Sequence, residues 1–91
     1  VPLHTMQASF KVFELCKAMA EEGNPNSVSD AGVGVLAARA AVLGAGLNVK
    51  INASGLKDRE AADKLVGEAN ELIKKANELE TEIMKIVEDK L

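Results

Sequence analysis

The sequence predicts an all-α protein: a three-helix fragment of a helical bundle, with helices over about 3–22, 28–51 and 57–90. Apolar positions recur at helical spacing in each of these segments. Aromatic residues make up only 2% of the 91 residues, and the apolar 47% comes mainly from Ala, Val, Leu and Ile, which favours helices. Short stretches that contain Gly and Asn, at 23–25 and 52–55, separate these segments. Residues 1–91 are therefore expected to form at most one domain, with a small core of its own.

The first helix is predicted over residues 3–22. Pro2 suits a first helical turn, where its missing N–H would be unpaired anyway. Gly23, followed by Asn24 and Pro25, is expected to end the helix. One wide apolar stripe follows the helix, comprising Leu3, Met6, Phe10 and Phe13 with the flanking residues Val12, Cys16 and Met19.

The second helix is predicted to begin in residues 26–30. Ser27 and Asp30 have the spacing of a capping box, and Ser29 is an alternative N-cap. Its interior glycines each cost about 0.5–1 kcal/mol relative to Ala, so neighbouring helices must pack closely against it. Residues 49–51 are expected to be a helical tail, with a short extended exit as the alternative, and residues 52–55 a turn. The small residues expected on one packing face are Gly34, Ala38, Ala41 and Ala45.

The third helix shows the clearest pattern. Asp58 is expected to lie in its N-cap region, and Glu60 suits the positive end of the helix dipole. We expect its apolar seam to support packing in a dimer or higher oligomer. The seam consists of Leu65, Ala69, Leu72, Ala76, Leu79, Ile83 and Ile86.

Charge and composition argue against several classes of protein. The net charge is −3 and no basic face is present, so nucleic acid is not an expected partner. The most apolar window, residues 31–47, carries Arg39 at its centre, so we expect a buried helix in a soluble protein and no membrane contact. A single cysteine, Cys16, fits the reducing cytoplasm. The chain contains only one cysteine and one histidine, Cys16 and His4, so no zinc site is expected.

Polar residues at the two ends of the second helix are the candidate site. Asp30 is the candidate general base, or holds a substrate amino group; the alternative is a plain helix cap. Before it lie Asn24, Asn26, Ser27 and Ser29, where free backbone N–H groups favour anionic or carbonyl ligands. Turn and cap chemistry is the simpler explanation for at least two of these four.

Asn48, Lys50 and Asn52 mark the other end of the helix, and Asn48 and Asn52 share a face. Surface capping is an equally good explanation for either asparagine. Arg39 requires an anionic partner, either a substrate carboxylate or a structural ion pair across a subunit interface. His4 has no carboxylate within helical reach, which makes a catalytic role weak.

Two stretches resemble a known family: Asn-Pro-Asn-Ser-Val-Ser-Asp-Ala-Gly-Val at 24–33 and Asn-Val-Lys-Ile-Asn at 48–52. They look like the C-terminal half of the formiminotransferase-cyclodeaminase / methenyltetrahydrofolate cyclohydrolase family. This resemblance implies an all-helical homodimer with pockets between helices and subunits, and a tetrahydrofolate derivative as substrate. It implies either a cyclodeaminase that releases ammonia or a cyclohydrolase, with no metal or redox cofactor. It also favours a pocket role for Asp30.

The sequence departs from the family in two respects. Family domains are about twice as long, and the chain starts at Val1 without a Met, so we interpret it as a piece of a longer polypeptide that is inactive alone. Gly46 stands where a larger side chain is expected. The alternative function is a helical oligomerisation module without catalytic activity, for which the polar cluster at 24–30 would be unnecessary.

Overall fold

A computed structural model describes residues 2–91, with side chains from Leu3 onward. It consists of α1 (Pro2–Glu22), α2 (Pro25–Ser54) and α3 (Arg59–Lys90), and the described residues include no strand. The prediction of an all-α fold with three helices is confirmed. The bundle measures 51 × 18 × 14 Å, because α3 alone is about 48 Å long at 1.5 Å per residue. Packing in a dimer stays a prediction.

The predicted break between α1 and α2 is confirmed, but α2 begins earlier than predicted. Gly23 has a φ of 84°, a left-handed conformation that favours glycine at the end of a helix. The N-cap of α2 is Asn24, neither Ser27 nor Ser29. Pro25 follows it at the first helical position, where no N–H is needed, and the Asn26 N–H donates to Asn24 Oδ1 at 3.0 Å.

The other end of α2 also extends beyond its predicted boundary. Residues 49–51 are helical, as predicted, but Asn52 to Ser54 are helical too and do not form a turn. Ala53 is 1% exposed, and burial of this last apolar position favours one more helical turn. The helix ends at Gly55, whose N–H donates to the Asn52 carbonyl at 3.2 Å.

The third helix follows its sequence pattern closely. Asp58 is its N-cap, and Asp58 Oδ1 accepts hydrogen bonds from the backbone N–H groups of Glu60 and Ala61, both at 3.1 Å. The predicted seam faces the rest of the bundle. Its members Ala69, Ala76 and Ile83 are buried, and Leu65, Leu72, Leu79 and Ile86 are half-buried.

Helices α2 and α3 are antiparallel and contact each other at the same spacing along both helices. A Cβ added to Gly32 would lie 3.3 Å from Val87 Cγ1. Seven residues further along α2, Arg39 pairs with Glu80 at 2.8 Å. After another seven, a Cβ added to Gly46 would lie 2.9 Å from Ile73 Cδ1. These two glycines therefore allow the backbones of α2 and α3 to approach closely.

Helix α1 is antiparallel to α2 and parallel to α3. Lys17 Nζ lies 2.7 Å from Glu82 Oε1, and Lys75 Nζ lies 4.8 Å from the centre of the Phe10 ring. Against α2, Cys16 Sγ lies only 2.7 Å from the position of a Cβ on Gly34. Most of the predicted α1 stripe is buried or half-buried, but Val12 is 41% exposed, so its place in the core was wrongly predicted.

The inner face of α2 forms the centre of the core, with Val28, Val35 and Val42 all at 0% exposure. The predicted small-residue face is only partly right. Ala38 and Ala45 are buried and Gly34 is half-buried, but Ala41 is exposed. α2 is long and apolar enough to cross a membrane, with 39% of its most apolar window buried in the bundle; a soluble core helix passes the same test.

Candidate functional site

The first group of candidate residues lies in the opening turns of α2. We call Asn24, Asn26, Ser27, Ser29 and Asp30 the N-terminal group. Asn24 serves as the N-cap, and its carbonyl accepts from the Val28 N–H at 2.8 Å. Asn26, Ser29 and Asp30 are exposed, and Ser27 is half-buried. The group therefore presents carboxylate, amide and hydroxyl groups to solvent at the positive end of a helix dipole.

Asp30 is exposed on the outer side of α2. Within residues 2–91 its side chain forms no hydrogen bond or ion pair. It is not the N-cap, because Asn24 occupies that position, so the simpler of the two interpretations of Asp30 is wrong. The carboxylate is thus available to accept a proton or bind a cationic group of a ligand.

The second group of candidate residues lies near the end of α2. Asn48 and Asn52 are exposed and share a face, one turn apart; we call them the C-terminal pair. Lys50 is half-buried and lies on another side of the helix. It follows Gly32 by five turns of 3.6 residues, and Gly32 faces Val87 of α3. Lys50 is therefore not part of the surface that presents Asn48 and Asn52.

One chain does not bring the N-terminal group and the C-terminal pair together. Asp30 and Asn48 are separated by five helical turns, so they point in the same direction but lie about 27 Å apart. No side chain spans that distance. A single site that uses both groups cannot form on one straight helix.

Arg39 packs between α2 and α3. Its Nε donates to Asn77 Oδ1 at 2.8 Å and forms an ion pair with Glu80 Oε2 at 2.8 Å. The ion pair lies within one chain, whereas the sequence suggested either a substrate carboxylate or a pair between subunits. Sequence reasoning did not identify Asn77 and Glu80 as its partners, although both lie on the charged flank of the α3 seam. This network holds Arg39 against α3 and away from the exposed polar groups of α2.

The single cysteine and the single histidine occupy different environments. Cys16 is 5% exposed, and burial raises the pKa of its thiol, as expected for an unreactive core cysteine. His4 is exposed near the start of α1. Among the described residues, no three His, Cys, Asp or Glu side chains are grouped as metal ligands.

An open groove of about 520 Å³ lies between the start of α1 and α3. It adjoins neither polar group of α2, and the sequence pattern did not indicate it. A signal was available in retrospect, because Gly67 leaves a gap in the α3 surface beside Leu72. Its lining is Leu3, Gln7, Gly67, Glu68, Glu71 and Leu72.

Comparison with known proteins identifies clear relatives. Residues 1–71 match the formiminotransferase-cyclodeaminase family model. The chain is 41% identical over 91 residues to a methenyltetrahydrofolate cyclohydrolase of Methylorubrum extorquens, a match that covers 100% of this chain and 44% of that protein. It is 33% identical over 90 residues to a formimidoyltransferase-cyclodeaminase of Dictyostelium discoideum, covering 99% of this chain and 17% of that protein. The chain thus spans less than half the length of either relative. No solved structure matches it.

Proposed function

Because this chain belongs to the formiminotransferase-cyclodeaminase family, we propose that it is part of an enzyme of folate one-carbon metabolism. The observation that carries the proposal is the extent of the match. Residues 1–71 include all of α1 and α2, and with them every candidate polar residue. The two relatives are a methenyltetrahydrofolate cyclohydrolase and a formimidoyltransferase-cyclodeaminase by name.

The proposed substrate is a one-carbon derivative of tetrahydrofolate. A cyclodeaminase closes a ring between N5 and N10 and expels ammonia, and a cyclohydrolase opens that ring with water. Both reactions add to or eliminate from one carbon, so each needs a proton donor or acceptor beside it. Asp30 is the proposed proton acceptor, because it is exposed and has no partner among the described residues. Proton transfer of this kind requires no metal or redox cofactor.

The amide and hydroxyl groups near Asp30 are proposed to position the ligand. An asparagine side chain both donates and accepts hydrogen bonds, which suits the lactam and amino edges of a pterin ring. Asn26, Asn48 and Asn52 are exposed and available for this role. Arg39 is the weakest member of the proposed set, because its Nε is bound to Glu80 and Asn77.

The remaining parts of the proposal concern the whole protein. We place it in the cytoplasm, where its single cysteine stays reduced, and expect it to self-associate. We expect the 91 residues alone to show no turnover, because the cyclohydrolase that they match over their full length is more than twice as long. A structural module without chemistry is the second candidate, and it is favoured by the exposed apolar residues Val33, Leu47 and Ile51 of α2.

Calorimetric titration with 5-formyltetrahydrofolate tests the proposal. We expect saturable binding by the 91-residue chain, and its loss in Asp30→Ala. Asp63→Ala is the matched control, because Asp63 is also an exposed carboxylate near the start of a helix; it should bind as the original chain does. No binding by a well-folded chain would refute the folate proposal for these residues and favour the structural module.

A further inference from the structure

The groove between the start of α1 and α3 continues along α3 as a second open hollow. The first hollow has a volume of about 520 Å³ and the second about 330 Å³. Glu71 and Leu72 line both of them, so the two hollows join into one groove. It follows α3 from Gly67 to Glu78, three helical turns and about 16 Å. We call it the α1–α3 groove.

Apolar groups form the floor of this groove. Leu3 and Leu72 are half-buried beside it. A Cβ added to Gly67 would meet nothing within 4 Å, so no contact within the chain accounts for a residue type that destabilises an exposed helix interior. The glycine leaves room for the backbone of another helix to approach α3 closely at this point.

Charged side chains alternate in sign along the open edge of the groove. Glu68 and Glu71 lie at the end beside the start of α1. Lys74 follows about one turn later, and Glu78 one turn after that. All four side chains are exposed, and none has a hydrogen-bond or ion-pair partner within residues 3–91. The order of negative, positive and negative charge is therefore available to a partner.

We propose that the α1–α3 groove binds an amphipathic helix of a partner protein, antiparallel to α1 and α3. The apolar face of this helix lies on Leu3 and Leu72. Basic residues in its last turn pair with Glu68 and Glu71, and an acidic residue nearer its start pairs with Lys74. In this direction the negative end of the bound helix lies beside the positive start of α1, and basic residues are favoured at such a helix end.

The shape and charges of the groove favour this occupant over others. A folate derivative carries carboxylates, which the acidic end of the groove repels. A lipid surface does not fill a narrow concave groove between two helices. In a second copy of this chain, the helices with exposed apolar residues are α1 and α2, and neither has a basic residue in its last turn. A second copy therefore supplies no helix with the required pattern.

A synthetic helix with this pattern tests the proposal. The probe is a fluorescein-labelled peptide of about 14 residues, or four helical turns, made of Ala, Leu, Glu and Lys. Its leucines lie on one face, its Glu residues in the first turn and its Lys residues in the last. Fluorescence anisotropy at low salt should show saturable binding of one peptide per chain. A peptide with Gln in place of Lys should bind about five-fold more weakly. No binding by a well-folded chain would overturn the proposal.

Matched charge variants test where the basic residues of the peptide bind. Glu68→Gln combined with Glu71→Gln should weaken binding about five-fold. Glu88→Gln combined with Asp89→Asn removes the same charge from exposed positions near the other end of α3, and should leave binding unchanged. Equal weakening by the two pairs would show attraction to the net charge of the chain and overturn the proposed site.

Matched glycine variants test the floor of the groove. Gly67→Leu fills it and should weaken peptide binding at least ten-fold. Gly44→Leu adds the same side chain to α2, at a position that is equally open, and should bind as the original chain does. Because Leu is the better helix former, Gly67→Leu should not lower stability, so unfolding is not the cause of its weaker binding. Full affinity in Gly67→Leu would overturn the proposal.

Folate titration and sedimentation identify the other occupants. The chain with Glu68→Gln and Glu71→Gln should bind 5-formyltetrahydrofolate as the original chain does. Displacement of the peptide by this folate would show that the groove belongs to the folate site, and a change from dimer to monomer in Gly67→Leu would show that a second copy fills it. Either result would overturn the proposal. Peptide binding without folate binding would refute only the folate function proposed above.

Discussion

Gly34→Ala tests how closely α1 and α2 approach each other. A Cβ at position 34 would lie 2.7 Å from Cys16 Sγ, whereas ordinary contacts begin at 3.4 Å, so one of the groups must move by about 0.7 Å. Overpacking of this kind costs about 1–3 kcal/mol. The better helix propensity of Ala returns about 0.5–1 kcal/mol. The difference is about 0–2.5 kcal/mol, so we expect Gly34→Ala to lower the free energy of unfolding by roughly 1 kcal/mol.

Two controls isolate the contact with Cys16. Gly67→Ala adds the same methyl group where nothing lies within 4 Å, and should raise the free energy of unfolding by about 0.5–1 kcal/mol. In a Cys16→Ala background the obstructing sulfur is absent, so Gly34→Ala should become neutral or stabilising. The sign of its effect therefore changes with the residue at position 16, a coupling that a double-mutant cycle measures directly.

Urea unfolding followed by far-UV circular dichroism provides the measurement. All variants must be compared at one protein concentration, because self-association adds to apparent stability. If Gly34→Ala stabilises the protein as much as Gly67→Ala does, α1 and α2 are not as close at this point as the structure indicates. If it destabilises equally with and without Cys16, the cause lies elsewhere than in this contact.

Three further predictions follow from individual contacts. Asp58→Ala removes the acceptor of two backbone N–H groups and should lower the free energy of unfolding by about 1 kcal/mol in urea; an unchanged midpoint would contradict its role as the N-cap. Because burial raises the pKa of the Cys16 thiol, a thiol reagent should label it only as fast as the protein opens, and fast labelling without denaturant would contradict its burial. The hydrogen bond and charge of Glu82 raise the pKa of Lys17 above its usual 10.5. The Lys17–Glu82 pair therefore stabilises the folded protein fully below pH 10.5, and this contribution is lost as the pH rises through the folded-state pKa of Lys17. Alkaline unfolding titrations should show this loss in the original chain and not in Lys17→Met.

The sequence predicted the parts of the fold that strong local signals specify. Asp58 is a good N-cap before a charged first turn, and the apolar seam of α3 contrasts with a polar opposite face. α2 lacks such contrast, because Ala, Gly and Val occur on all of its sides. Ala38 is buried and Ala41 is exposed, yet nothing in their local pattern distinguishes them. Only the positions of α1 and α3 decide which face of α2 lies inside.

The sequence predicted which residues belong to the candidate site but not how they are arranged in space. The sequence pointed to polar residues at both ends of α2, and the structure shows that Asp30 and Asn48 share a side of the helix at a separation that excludes a common site in one chain. It also placed Lys50 on another face. Asn24 was one of four residues for which turn or cap chemistry was the simpler explanation, but Ser27 or Ser29 was predicted as the N-cap of α2, because a capping-box pattern at Ser27 competed with the Asn-Pro signal.

The repeated contacts between α2 and α3 bear on how the length of this hairpin can change. Gly32, Arg39 and Gly46 meet Val87, Glu80 and Ile73 at intervals of seven residues in both helices. Deleting one residue from α2 would rotate everything beyond it by about 100° and turn the glycines away from α3. Deleting seven residues from α2 and seven from α3 at matching points would remove about 10 Å of length and keep the remaining contacts between α2 and α3 in register. The hairpin can thus shorten or lengthen in two-turn units, which makes it adjustable in length without a new interface.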